Sequence, residues 1–209
     1  LITPGKVFAG DNIDGIKAEL HKGNWKARLA AVEKLENRKD KAALNMLREV
    51  AGTRGEYWPV KIKAIVLLGE AQDPESVELL LSIFNDPFSN WECPSIKSYT
   101  VTALGYYKGN QRVFDTLIKA ISDRELLTRE AAVQSLGRIG DPRAVTNLLG
   151  LLEDPSTAIR LSTVKALEEI GDPRAIPDLR RVSQSDSDEI VKREALAALG
   201  NFHGNRGNN

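Results

Sequence analysis

A chain of 209 residues, 42% hydrophobic and 28% charged, suits one folded domain or a short array of repeats and excludes global disorder. Its 29 basic and 29 acidic side chains cancel, and they cancel again by halves, with 14 of each in residues 1–105 and 15 of each in residues 106–209. That balance argues against a non-specific nucleic-acid binder, the solitary Cys93 rules out an internal disulfide or a multi-cysteine metal site, and no apolar run approaches the ~20 residues that cross a bilayer.

Residues 1–11 read as an N-terminal tail. Val7-Phe8-Ala9 before Gly10-Asp11 has the small-x-Ala form that ends a secretory signal, whereas Lys6 suits an ordinary leader or interdomain tail. The compartment therefore stays open, with the cytoplasm preferred and export the alternative. A short helix is predicted at 12–21, followed by helical hairpins at 24–36 with 40–51, 57–70 with 73–85, 94–107 with 110–121, 125–139 with 141–153, and 156–169 with 172–183. A lone helix at 187–201 closes the series, and 202–209 reads as a disordered C-terminal tail. No stretch sustains period-two alternation, so no strand is predicted.

The hairpins repeat one signature. A base is followed by a small residue three positions on, an aliphatic at four and Leu at seven. It occurs as Arg28-Ala31-Val32-Leu35, Lys61-Ala64-Ile65-Leu68, Lys97-Thr100-Val101-Leu104, Arg129-Ala132-Val133-Leu136, Arg160-Thr163-Val164-Leu167 and Lys192-Ala195-Leu196-Leu199. The six leucines are 33, 36, 32, 31 and 32 residues apart. Aliphatic and Leu share one helical face, and the small residue admits a neighbouring helix. Asp40, Asp73, Asn110, Asp141 and Asp172 then stand as N-caps of the second helices, with Pro at the first helical position after three of them. One such hairpin cannot bury its apolar face alone. Stacking hides each face against the next, so residues 12–201 are expected to form one all-α domain, an α-solenoid built as a right-handed superhelical stack of antiparallel hairpins.

The run Ser135-Leu136-Gly137-Arg138-Ile139-Gly140-Asp141-Pro142-Arg143-Ala144-Val145, closing on Leu152-Glu153-Asp154-Pro155, resembles the HEAT-like repeat of phycobilisome (bilin) lyase subunits. The next unit matches it through Ile170-Gly171-Asp172-Pro173-Arg174-Ala175-Ile176-Pro177, and the resemblance covers residues 24–201. It implies a HEAT/armadillo-type fold. Relatives with this unit include bilin lyases, scaffolds and adaptors, a di-iron hydroxylase and DNA-repair glycosylases, so it does not choose a function. The N-terminal units depart from the pattern: Asn37-Arg38-Lys39 and Glu70-Ala71-Gln72 replace the glycine turn, and Tyr107-Lys108-Gly109 carries an extra residue.

The signature bases form a ladder that would suit a polyanion, but each has an Asp in its own repeat. Pairing with the capping carboxylate or a helix-end carbonyl of an adjacent unit is the favoured reading. A second basic column, Arg112, Arg143 and Arg174, opposes the helix dipole and calls for a compensating non-local interaction. Together with Asp115, Lys119 and Arg181 it lies on the second helices, which are expected to line the concave side. Of the 12 aromatic residues, 11 precede position 115. Trp25 and Trp58 fall seven residues before Val32 and Ile65, and so are expected in the core. Phe88 and Trp91, in the loop 85–93, are candidate partner-binding groups.

Chemistry finds little support. His21 and His203 belong to no metal-spaced pair, Cys93 has no His neighbour, and there is no phosphate loop, nucleophile elbow or dinucleotide fingerprint. No catalytic residue, cofactor or metal is expected. The leading reading is a non-enzymatic scaffold for a protein partner, using the concave surface. The alternative, implied only by the resemblance, is a bilin lyase-like subunit that holds a tetrapyrrole.

Overall fold

The computed structural model describes residues 13–88 and 93–204. Among these residues the chain is an α-solenoid of twelve α-helices and four short 3-10 turns, with no strand. Helix α1 (Ile13–Lys22) precedes five hairpins, each pairing a signature-bearing first helix with a second helix. They are α2 (Trp25–Glu33) with α3 (Lys41–Gly52), α4 (Trp58–Ala71) with α5 (Val77–Asn85), and α6 (Pro94–Leu104) with α7 (Gln111–Ala120). Then come α8 (Leu126–Ile139) with α9 (Val145–Gly150), and α10 (Thr157–Ile170) with α11 (Ile176–Ser185). Helix α12 (Glu189–Gly204) carries the sixth signature. It runs past residue 201, and Phe202 is buried, so 202–204 leave the expected tail. Residues 1–11 and 205–209 lie outside the described residues.

The signature does what its spacing requires. All six leucines and all six small residues are buried, as are Val32, Ile65, Val101, Val133 and Val164. Leu196, at the same position of α12, is exposed, because among the described residues no further helix covers it. Burial thus comes from the neighbour, as stacking demands.

Capping explains the second helices. Asp40 Oδ1 accepts from the Ala43 amide at 3.0 Å and Asn110 Oδ1 from that of Val113 at 3.2 Å, the geometry of an ordinary N-cap. Asp141 and Asp172 instead accept from the amide two residues on, Arg143 and Arg174, each at 2.9 Å. With Pro142 and Pro173 at the first position the opening turn is 3-10 helix (Pro142–Ala144 and Pro173–Ala175), as it is at Pro74–Ser76 after Asp73. A further 3-10 turn, Leu151–Glu153, ends α9, so the helix expected over 141–153 is in three pieces. Asp73 departs from expectation: its carboxylate accepts from the Ser76 hydroxyl and from Arg48 rather than capping an amide. Gly140 and Gly171 end α8 and α10 with φ of 74° and 70°, and Gln72 and Asn37 adopt the same left-handed conformation where the glycine is missing.

Consecutive first helices pack far more closely than consecutive second helices. A β-carbon on Gly69 would lie 2.7 Å from Ala103 Cα, one on Gly105 2.6 Å from Ser135 Cβ, and one on Gly137 2.8 Å from Ala166 Cα. Gly69, Gly105 and Gly137 are therefore contact glycines, placed at the C-terminal ends of their first helices. In a curved stack the more closely spaced row lies inside. The first helices, not the second, line the concave side, which corrects the expected assignment.

Trp25 and Trp58 are likewise not in the core; they are 40% and 47% exposed. Seven-residue spacing puts them on the buried stripe, but the first turn projects beyond the cover of the adjacent hairpin. They stack on each other's neighbourhood through Tyr57, with centroid separations of 4.8 Å (Trp25–Tyr57) and 5.8 Å (Tyr57–Trp58).

Candidate functional site

The signature bases are structural clamps. Arg28 binds Glu56 and the Gly23 carbonyl, Lys97 binds Asp123, and Arg160 binds Asp186 and the Asp154 carbonyl. Lys61 reaches the Thr53 carbonyl and Arg129 those of Asp123 and Arg124. Lys192 pairs with Glu189 one turn back on its own helix. Carbonyl pairing is as expected, but the carboxylates belong to the loops between hairpins rather than to the capping Asp residues. Arg28 and Arg160 each tie two consecutive loops together, and Lys97 ties its own helix to the following loop.

The Arg112, Arg143 and Arg174 column is also satisfied within the chain. Arg143 grips Asp141 through Nε and Nη2, donates to Gln111 Oε1 at 2.7 Å, and lies 4.5 Å from the Phe114 ring centroid. Arg174 grips Asp172 in the same way and donates to the Pro142 carbonyl at 2.7 Å. Arg112 pairs with Glu78 of the preceding second helix. The hydrogen bonds from Arg143 and Arg174 hold the Asp141 and Asp172 carboxyls below the usual carboxylate range, and Glu78 raises the Arg112 guanidinium. Arg181 bridges Asp178 and Glu153, and Asp115 accepts from the Gln111 amide. These residues form a mixed-sign outer surface that consumes its own charges.

Lys119 lies apart from the column. It lines an open hollow of about 670 Å³ beside the loop 85–93, together with Phe84, Pro94, Lys97 and Arg124. Phe88 is exposed next to it, and Trp91 lies outside the described residues.

The concave row presents a feature that sequence reading missed. A hollow of about 690 Å³ between α8 and α10 is lined by Glu130, Gln134, Arg138, Lys165 and Glu169. A second, of about 540 Å³, lies where α6 ends and is lined by Gln72, Tyr106, Tyr107 and Asn110. Lys108 and Arg138 line both, so the two adjoin as a trough that draws residues from four successive repeats. Arg138 is held there by a 3.2 Å hydrogen bond to the Thr102 carbonyl, with its guanidinium 4.7 Å from the Tyr106 ring centroid. Tyr107 is buried below, its hydroxyl donating to the Leu68 carbonyl at 2.8 Å, and burial raises its pKa above the ordinary phenol value. The signal was the Leu-Gly that closes the second, third and fourth signatures, at Gly69, Gly105 and Gly137, which marks the row that approaches closely.

Among the described residues no cluster of three or more His, Cys, Asp or Glu has metal-binding geometry, and no helix is long and apolar enough to cross a membrane. A family model of HEAT repeats matches residues 13–91, 88–156 and 129–200. No curated protein gives a significant match. Among solved structures, the complex of CpcE and CpcF of phycocyanin lyase from Nostoc sp. PCC7120 is similar at 20% identity and a TM-score of 0.62, covering 97% of this chain and 81% of that one. A designed armadillo repeat protein in complex with the peptide (KR)4 is similar at 18% identity and a TM-score of 0.63, covering 92% of this chain and all of the other.

Proposed function

Since the chain belongs to the HEAT-repeat family, its working part is a surface, and we propose that it is a non-enzymatic scaffold holding a protein partner against the concave trough. One observation carries this reading: two hollows adjoin, one between α8 and α10 and one at the turn after α6, with Lys108 and Arg138 common to both. An extended trough with alternating Glu130, Arg138, Lys165 and Glu169 offers polar recognition along a segment of chain, and nothing in it assembles a nucleophile, base and oxyanion site. The second-helix arginines supply little, being already paired. A photo-crosslinker replacing Gln134 or Lys165 should capture the partner in lysate, while one replacing Thr146 on α9 should not. Equal capture at all three positions, or capture at Thr146 alone, removes the trough from consideration.

A second reading, a bilin lyase-like chromophore-binding subunit, is favoured by the Arg138–Tyr106–Lys108 grouping and by the likeness in fold to the CpcE and CpcF complex. A cation and an aromatic face are what a tetrapyrrole's propionates and rings require. Mixing with phycocyanobilin separates the two: an absorbance shift lost in Arg138→Ala supports the chromophore, and an unchanged spectrum disposes of it.

A further inference from the structure

Of the nine exposed large apolar side chains among the described residues, six share one rim; Phe88, Tyr99 and Leu196 are the others. Trp25, Tyr57, Trp58, Leu126, Leu127 and Ile190 all lie on the rim where the first helices begin. Leu127 is 61% and Ile190 52% exposed. From Leu126 to Arg138 is twelve residues of helix, about 18 Å, so this rim is a different place from the trough. An apolar row of this extent on a folded surface marks an interaction site.

Charge on the rim is polarised along the stack. The first two units carry Lys22, Lys26 and Arg54, all exposed and with no carboxylate partner among the described residues. The last two carry Glu153, Asp154, Asp186, Asp188 and Glu189 against Arg160, Arg181 and Lys192. Equivalent positions invert: seven residues before the signature base stands Arg54 in the second unit and Glu153 in the fifth. At the first turn, Trp25-Lys26 of the first unit corresponds to Glu189-Ile190 of the sixth.

We infer that this rim pairs two copies of the chain, antiparallel, about a two-fold axis through the middle repeats. That operation sets the first unit on the partner's sixth, the second on its fifth and the third on its fourth. Lys26 then faces an acidic first turn, Trp25 meets an isoleucine, and Arg54 meets a loop glutamate. Leu126 and Leu127 sit beside the axis against the first turn that begins at Pro94. The contact is isologous, so every favourable pairing occurs twice. Five helix-packing steps of about 10 Å make a rim ~50 Å long. A strip about 15 Å wide over that length approaches the roughly 800 Å² per partner of a stable interface. Zero net charge removes the repulsion that keeps copies apart.

Sedimentation velocity over a range of micromolar concentrations tests the pairing. The full chain should dimerise reversibly, and Leu127→Glu should weaken the dimer about tenfold or more. Lys26→Glu with Arg54→Glu should weaken it also, and adding Glu153→Lys and Glu189→Lys in the same chain should restore it. Circular dichroism confirms that each variant keeps its helices. A monomer at every concentration overturns the inference, and so does a dimer indifferent to the charge changes or not rescued by the fourfold reversal. Because the trough is untouched by these substitutions, crosslinking at Gln134 stands or falls separately.

Discussion

Arg160 and Asp186 form the most enclosed ion pair among the described residues, with Arg160 Nε and Nη2 each donating 2.9 Å to one carboxylate oxygen. Their side chains are 10% and 5% exposed. The pair closes the loop before α10 against the loop before α12, and the Asp154 carbonyl accepts a third bond at 3.0 Å. Removing one partner leaves the other charge enclosed, so Arg160→Ala should cost roughly 3 kcal/mol by urea denaturation at neutral pH. Arg160 holds the Asp186 carboxyl below its ordinary value. A depressed folded-state pKa contributes stability above the unfolded carboxylate pKa, and that contribution is lost as pH falls through the folded one. The wild-type chain should therefore lose stability below the ordinary carboxylate range more steeply than Asp186→Asn does. Parallel slopes would deny the pair this role.

The contact glycines predict opposite signs for one substitution. Gly69→Ala would place a methyl 2.7 Å from both Cα and Cβ of Ala103, on a helix that has no flexible atom to yield. A loss of about 1–3 kcal/mol is expected, the usual cost of overpacking. Gly150 has the same helical conformation and nothing within 4 Å of its added Cβ. There Ala should stabilise by about 0.5–1 kcal/mol. Thermal melts of the two variants side by side check the pair of signs, and a stabilised Gly69→Ala would mean that the first helices are not in close contact.

What could be read from the sequence divides along physical lines. The signature with its leucines 31 to 36 residues apart located the first helix of every hairpin and the last helix, because burial by a neighbour imposes the same types at the same turn. The Trp25 and Trp58 environments were not legible, since spacing reports the side of a helix but not how far the neighbour's cover extends along it. Curvature was misread for a related reason. Periodicity is blind to which row of helices is packed tighter, although Leu68-Gly69, Leu104-Gly105 and Leu136-Gly137 held the answer as glycines directly after the signature Leu. A non-local partner was expected for Arg143, whereas Asp141, two residues back in the repeated Asp-Pro-Arg, takes its Nε and Nη2. The trough was not legible, because Lys108 and Arg138 come together from separate repeats.

Thr128 offers a test of polar accounting. Its hydroxyl is fully buried in the first turn of α8 and has no hydrogen-bond partner among the described residues. Thr100 and Thr163, equally buried, donate to the carbonyls of Ile96 at 2.7 Å and Ile159 at 2.8 Å. Exchanging an unpaired hydroxyl for a methyl of like volume relieves a desolvation cost, so Thr128→Val should stabilise by about 1 kcal/mol. Thr100→Val removes a formed bond and should be neutral or destabilising. Equal effects at both positions would show that Thr128 is hydrogen-bonded after all.

Gln72 ends α4 with φ of 55° and ψ of 34°, the conformation that Gly140 and Gly171 supply at the ends of α8 and α10. A β-carbon there crowds the following carbonyl, at a cost of about 1–2 kcal/mol, and glycine escapes it. The Gln72 side chain makes no hydrogen bond within the described residues, while its amide donates to the Gly69 carbonyl at 3.1 Å and is kept in any variant. Gln72→Gly should therefore stabilise the second unit, by somewhat less than the strain relieved, since glycine also gains freedom when unfolded. Gly171→Ala should lose about 1 kcal/mol for the mirror reason. Equilibrium urea titrations of both variants decide the matter: a destabilised Gln72→Gly would mean that the left-handed turn is carried by side-chain contacts rather than tolerated as strain.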